Sequence, residues 1–178
     1  QLGKIRYIYS NRLNLGTVRN NENVLWSFAP HDFSILQLFI NSFPSQVTSL
    51  GQKILNKNIH DTVITYLKYP NNVDGHVFTS WINPFKEHKI VVVGSEGNLI
   101  FEDSASDKPL LFSKTIITKN DNLFSIRNHR KEKIKYDKSS ALENELKYFI
   151  NVINGSQNNR SNIDLGIDVV KILDLATK

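Results

Sequence analysis

Six apolar runs follow one another through the middle of the chain, at 46–55, 61–69, 75–82, 88–94, 98–102 and 109–117. The turns between them are short and explicit: PNNVDG at 70–75, NPFKE at 83–87 and GSEG at 94–97. A parallel crossover needs roughly a dozen residues or more, so neighbours joined by such turns run antiparallel. The pattern predicts a meandering, mainly antiparallel sheet.

A strand precedes this sheet and helices flank it. In KIRYIYSNRL, residues 4–13, Ile5, Tyr7 and Tyr9 fall on one face and Lys4, Arg6 and Ile8 on the other. A polar turn, NRLNLGTVRNNEN, is expected next, carrying Arg12, Asn14, Gly16 and Arg19. A helix is predicted from about Pro30 to Asn41: Ile35, Leu36, Phe39, Ile40 and Phe43 recur at helical spacing, Pro30 suits a first turn and Pro44 follows the end. Two helices close the chain. Ser140 and Glu143 form a capping box before the stripe Leu142, Leu146, Phe149, Ile150 and Ile153, with Gly155 as the stop. Ser161 and Asp164 repeat the cap before Val169, Val170, Leu173 and Ala176. The elements specify an α+β domain, a mainly antiparallel open sheet with helices packed on one face. Val63, Thr65 and Leu67 with Val77, Thr79 and Trp81 suggest a partly apolar second face, which would serve as a subunit interface, and Trp81 reads as core or interface.

With 178 residues, 40% of them apolar, the chain reads as one domain over 1–178. No apolar run approaches the roughly 20 residues of a membrane helix, and no signal peptide is evident, so a soluble protein without a membrane partner is expected. The absence of cysteine excludes disulfides, thiolate metal sites and cysteine nucleophiles, and allows a cytoplasmic origin. Because the chain opens on Gln1 and has no methionine, residues before Gln1 are expected to be missing. The net charge of +5 is concentrated in RNHRKEKIKYDK, residues 127–138. Its alternation with Ile134 and Tyr136, without an aromatic platform, reads as a solvated edge strand and not as a nucleic-acid surface.

Few residues carry a chemical signature. There is no G-x-G-x-x-G and no P-loop, and Gly94 and Gly97 read as a hairpin turn. The histidines at 31, 60, 76, 88 and 129 lack metal-ligand spacing, so no metal site is expected. His31 remains. In the first turn of a helix the macrodipole would disfavour its imidazolium, leaving a neutral ring able to accept a proton. The same dipole would favour Asp32, and a lone histidine there equally reads as structural.

Four blocks in order carry a family resemblance: LGKIRYIYSNRLNLG, NVLWSFAPHDFSIL, GHVFTSWINPFKEHKIVVVGSEGNLIFED, and ENELKYFINVINGS with DVVKILDLA. Together they resemble the C-terminal domain of the glucose-fructose oxidoreductase, inositol dehydrogenase and MocA family, closest to members acting on sugars or nucleotide sugars. The resemblance implies one half of an NAD(P)-dependent oxidoreductase, with NAD or NADP bound mainly by an N-terminal Rossmann domain that this chain lacks. It places His31 on the family's catalytic histidine, which exchanges a proton with the sugar hydroxyl. By position Arg12 and Asn14 would contact substrate or else serve as turn cap and surface charge, Lys86 would reach substrate or cofactor or else stand as an exposed hairpin lysine, and the open sheet face would support a homo-oligomer. Many members carry an aspartate four residues before the histidine, where this chain has Ser27. That departure keeps open a non-catalytic ligand-binding or oligomerisation module, and the basic segment keeps open a nucleic-acid binder.

Overall fold

The computed structural model describes residues 1–121, 123–157, 159 and 162–178. Its nine strands form one sheet: β1 (Ile5–Leu15), β2 (Gln46–Gln52), β3 (Thr62–Tyr69), β4 (Val73–Ser80), β5 (Ile82–Gly94), β6 (Gly97–Glu102), β7 (Leu110–Asn120), β8 (Leu123–Asn128) and the short β9 (Glu132–Lys133). The spatial order is β2-β3-β4-β1-β5-β6-β7-β8, with β9 also paired to β7. All neighbours are antiparallel except β1 and β4. The first strand is inserted between β4 and β5, so the chain leaving β4 bends at Trp81 and steps over β1. Three helices accompany the sheet among the described residues: α1 (Val24–Ile40), α2 (Ala141–Ile153) and α3 (Ile163–Thr177). The α+β class expected from the turns is the one observed.

Several boundaries differ from the sequence reading. Arg12 and Asn14 lie inside β1 and not in a turn, because β4 and β5 pair with that strand on both sides through Leu13. NPFKE is part of β5 and not a turn. The β1–β5 register jumps between Leu13↔Glu87 and Leu15↔Ile82, so Pro84 falls in the unpaired bulge, where its missing N–H breaks no ladder bond. Helix α1 begins six residues before Pro30, with the Asn23 side chain accepting from the Trp26 N–H at 3.1 Å. An internal proline costs about 3 kcal/mol. Burial of Val24, Leu25, Ala29, Phe33 and Leu36 against the sheet outweighs it, at about 1.5–3 kcal/mol for each large side chain. The helix ends at Asn41, whose φ of 52° and N–H bond to the Gln37 carbonyl form a left-handed cap. Asn162 caps α3 through the Leu165 N–H, and Ser161 lies outside the described residues.

The core lies under α1 and α3, against β1–β4, and is built from Ile8, Phe33, Leu36, Leu67, Val77, Trp81, Ile172 and Leu173 among others. Val63, Thr65, Leu67, Val77, Thr79 and Trp81 are all buried, so they form this helix-covered face and not a second, open one. Side chains alternate strictly along a strand, and the open face carries the intervening set: Leu50, Ile64, Tyr66, His76 and Phe78. Trp81 is core: its indole N–H donates to the buried Asp61 at 2.7 Å, and Asp61 also accepts from the Ile54 and Leu55 N–H groups. The stripe on α2 is present as expected and Ser140 caps it, yet no α2 residue is buried. In the basic segment only residues 127–128 and 132–133 are in strands. Lys133 pairs with Asp107 at 2.7 Å and Tyr136 donates to the Lys108 carbonyl.

Candidate active site

The GSEG hairpin fixes the pairing of β5 with β6, and that register organises the rest of the site. Ile90 faces Phe101 and Val92 faces Leu99; on β7, Leu110 faces Phe101. With Ile35 and Phe39 from α1 and Tyr136 these residues line an apolar trough of about 360 Å³. Its rows continue one step further into polar residues. Arg12 pairs with His88 across β1 and β5, the Asp103 N–H donates to the His88 carbonyl at 2.8 Å, and the Lys108 ammonium contacts the Asp103 carboxylate at 2.7 Å. A cross-strand row Arg12–His88–Asp103–Lys108 thus closes one end of the trough. On α1, His31 stands one helical turn before Ile35, on the same side of the helix.

Asp32 binds α1 to this row. The carboxylate is 1% exposed; it accepts from Arg12 Nε at 2.5 Å, from Arg12 Nη2 at 3.3 Å and from the Ser10 hydroxyl at 2.5 Å. A charge this deep persists only when paired and hydrogen-bonded. The arginine is held by two of its nitrogens, and Nη1 has no partner among the described residues. His88 is titrated down: burial is the main cause, reinforced by Arg12 and Lys86 and opposed by Asp103 and Asp32. Asp103 is held below the usual carboxylate range, chiefly by the hydrogen bond from Lys108.

The residues singled out in the sequence occupy different parts of this arrangement. His31 is exposed, but it lies in the middle of α1 and not in the first turn, so the helix dipole does not act on it as expected. Adjacent Asp32 points inward, as neighbouring helix positions require. Ser27 stands one turn before His31 on the same side and offers a hydroxyl where a carboxylate was sought. Arg12 is in the row. Asn14 follows two positions along β1 and lies over Gly16, where a Cβ would come within 2.9 Å of its Nδ2. Lys86, exposed in the bulged part of β5, is near enough to influence His88. Ser10, Asp103 and Lys108 escaped the sequence reading, and His88 was weighed there only as a metal ligand. The hairpin at 94–97 was the available signal, since counting outward from it brings Asp103 opposite His88.

The larger cavity, about 630 Å³ between the end of α1 and the start of α3, contains none of these residues. Among the described residues there is no cluster of three or more metal-ligating side chains, and no helix is long and apolar enough to cross a membrane. Nor do the hairpin glycines form a phosphate cradle. A Cβ on Gly94 would sit 2.0 Å from the Leu2 carbonyl oxygen, and one on Gly97 would sit 2.6 Å from the Phe112 ring, so packing accounts for both. Neither hairpin glycine offers a dinucleotide's phosphates a cradle.

Solved structures of similar fold include UDP-N-acetylglucosamine 3-dehydrogenase GnnA from Acidithiobacillus ferrooxidans, with 16% identity and a TM-score of 0.80 over 99% of this chain and 54% of that one. The aldose-aldose oxidoreductase from Caulobacter crescentus, complexed with glycerol, matches at 12% identity and TM-score 0.71, over 99% and 54%. A levoglucosan dehydrogenase in complex with NADH matches at 14% and 0.73, over 99% and 56%. The chain therefore spans about half the length of each. No curated protein matches the sequence. The GFO/IDH/MocA C-terminal domain model matches residues 1–100, more than half of the chain, and with the fold in agreement the chain belongs to that family of oxidoreductase domains.

Proposed function

We propose that this chain is the substrate-binding and catalytic half of an NAD(P)-dependent oxidoreductase acting on a sugar or nucleotide sugar. The observation that carries the reading is the polar end of the trough, where a helix presenting an exposed imidazole is bound by a buried ion pair to Arg12, the first member of the row Arg12–His88–Asp103–Lys108. His31 exchanges a proton with the sugar hydroxyl undergoing oxidation or reduction. Arg12, fixed by Asp32, presents its remaining N–H groups to substrate, and Asn14 and Lys86 complete the contacts. The nicotinamide nucleotide, NAD or NADP, supplies the hydride exchange when bound. On this reading a Rossmann domain outside this chain holds its phosphates. The uncovered trough supports a second domain over this face, and the open sheet face with Leu50, Ile64 and Tyr66 supports a homo-oligomer.

The test is sugar-dependent NAD(P)H formation by the intact protein, across hexoses and UDP-N-acetylhexosamines, with both nucleotides. Turnover of one sugar class is expected; none with any pair would overturn the reading. Ser27 beside His31 favours a second reading, a ligand-binding module without chemistry. Saturable sugar binding with no turnover would be its signature.

A further inference from the structure

His88 has features that His31 lacks. Its side chain is only 18% exposed, and its Nδ1 lies 4.0 Å from the Asp103 carboxylate. Neither ring nitrogen makes a hydrogen bond among the described residues. The aspartate behind it cannot drift, because its own N–H is bonded to the His88 carbonyl and its carboxylate is held by Lys108. We infer that His88 is a second substrate-contact residue, whose Nε2 accepts a hydrogen bond from a sugar hydroxyl while Asp103 acts as the positioning residue. The assignment rests on the reading of the trough's polar end as a sugar site.

An acceptor nitrogen requires a neutral ring with its proton on the other nitrogen. A carboxylate facing Nδ1 favours the proton there and leaves the Nε2 lone pair outward. The charged groups that act on the ring are Arg12 on β1, Asp32 on α1, Lys86 on the same strand, and Asp103, itself held by Lys108, in the connection from β6 to β7. The two cations nearest the ring, together with burial, oppose a second proton and so keep the acceptor available near neutral pH. The class of ligand is set by the row itself: a donor on Arg12 and an acceptor on His88, paired across β1 and β5, suit vicinal hydroxyls. Asp103 also gives an imidazole of this site the carboxylate support that Ser27 cannot give His31.

Selective ¹⁵N-histidine labelling of the intact protein tests this directly, with UDP-N-acetylglucosamine and then D-glucose as probes. In the free protein the ring signals of His88 should report the Nδ1–H tautomer, and Asp103→Asn should shift them toward a mixture while Asp103→Glu restores them. Saturating probe should move the His88 Nε2 signal, and His88→Asn should weaken binding of that probe about tenfold. Probe binding that moves the His31 signal and leaves His88 unmoved would overturn the assignment while sparing the sugar site. No response from either ring to either probe would overturn the sugar site and the assignment with it. The wild-type titration remains decisive if His88→Asn fails to fold.

Discussion

The two halves of the sheet are finished differently. From β2 to β1 the inner face is sealed by α1 and α3, and Ile8, Val24, Ala29, Phe33, Leu36, Leu67, Val77 and Trp81 are essentially lost to solvent. From β5 to β7 the same face is an open trough, no α2 residue is buried, and Leu123, Phe124 and Ile126 of β8 are exposed. A 13-residue helix with one apolar stripe is marginal in water unless something packs against it. The sealed half holds the core of the domain; the open half leaves apolar side chains exposed. The polar row stands where the two meet.

Substitutions should separate the halves. Phe33→Ala, in the sealed half, should cost about 3–5 kcal/mol, lowering the melting temperature by roughly 10 °C or more, as read by calorimetry. Asp32→Ala should cost nearly as much, about 3–4 kcal/mol, because it leaves a largely buried guanidinium without its carboxylate. Asp61→Ala should follow at about 2–3 kcal/mol, through loss of the acceptor for Trp81 and for the Ile54 and Leu55 N–H groups. On acidification His60, His76 and His88 act together: burial holds each below the ordinary 6.5, so each protonates less readily folded than unfolded. Their contribution is complete above pH 6.5 and is lost as pH falls through the lowered folded-state values, so denaturant midpoints should decline as pH falls below 6.5. Phe149→Ala on α2 should change the stability of the isolated chain by no more than about 0.5 kcal/mol. A loss as large as that of Phe33→Ala would show that α2 belongs to the sealed half after all.

Much of this was legible in the sequence because tight turns declare themselves. PNN at 70–72 and GSEG at 94–97 separate the strands, and Asn71 and Asn72 take the left-handed conformations that asparagine tolerates. The start of α1 was not legible, since Pro30 normally opens a helix and only burial of the preceding turns reveals that here it interrupts one. Faces went astray for a different reason. Alternation along β3 and β4 separates two sets of side chains cleanly, yet both sets contain apolar residues, and only the position of α1 decides which is inside. His31 was visible as a residue, while its surroundings depended on a β1–β5 pairing that brings together positions 76 apart, Arg12 and His88. No local pattern announces that contact.

Turnover of the intact protein carrying His31→Ala, measured beside its melting temperature, tests the central claim most directly. A fall of about a hundredfold or more, with an unchanged melting temperature, is the predicted result. Undiminished turnover in a folded His31→Ala protein would contradict the account.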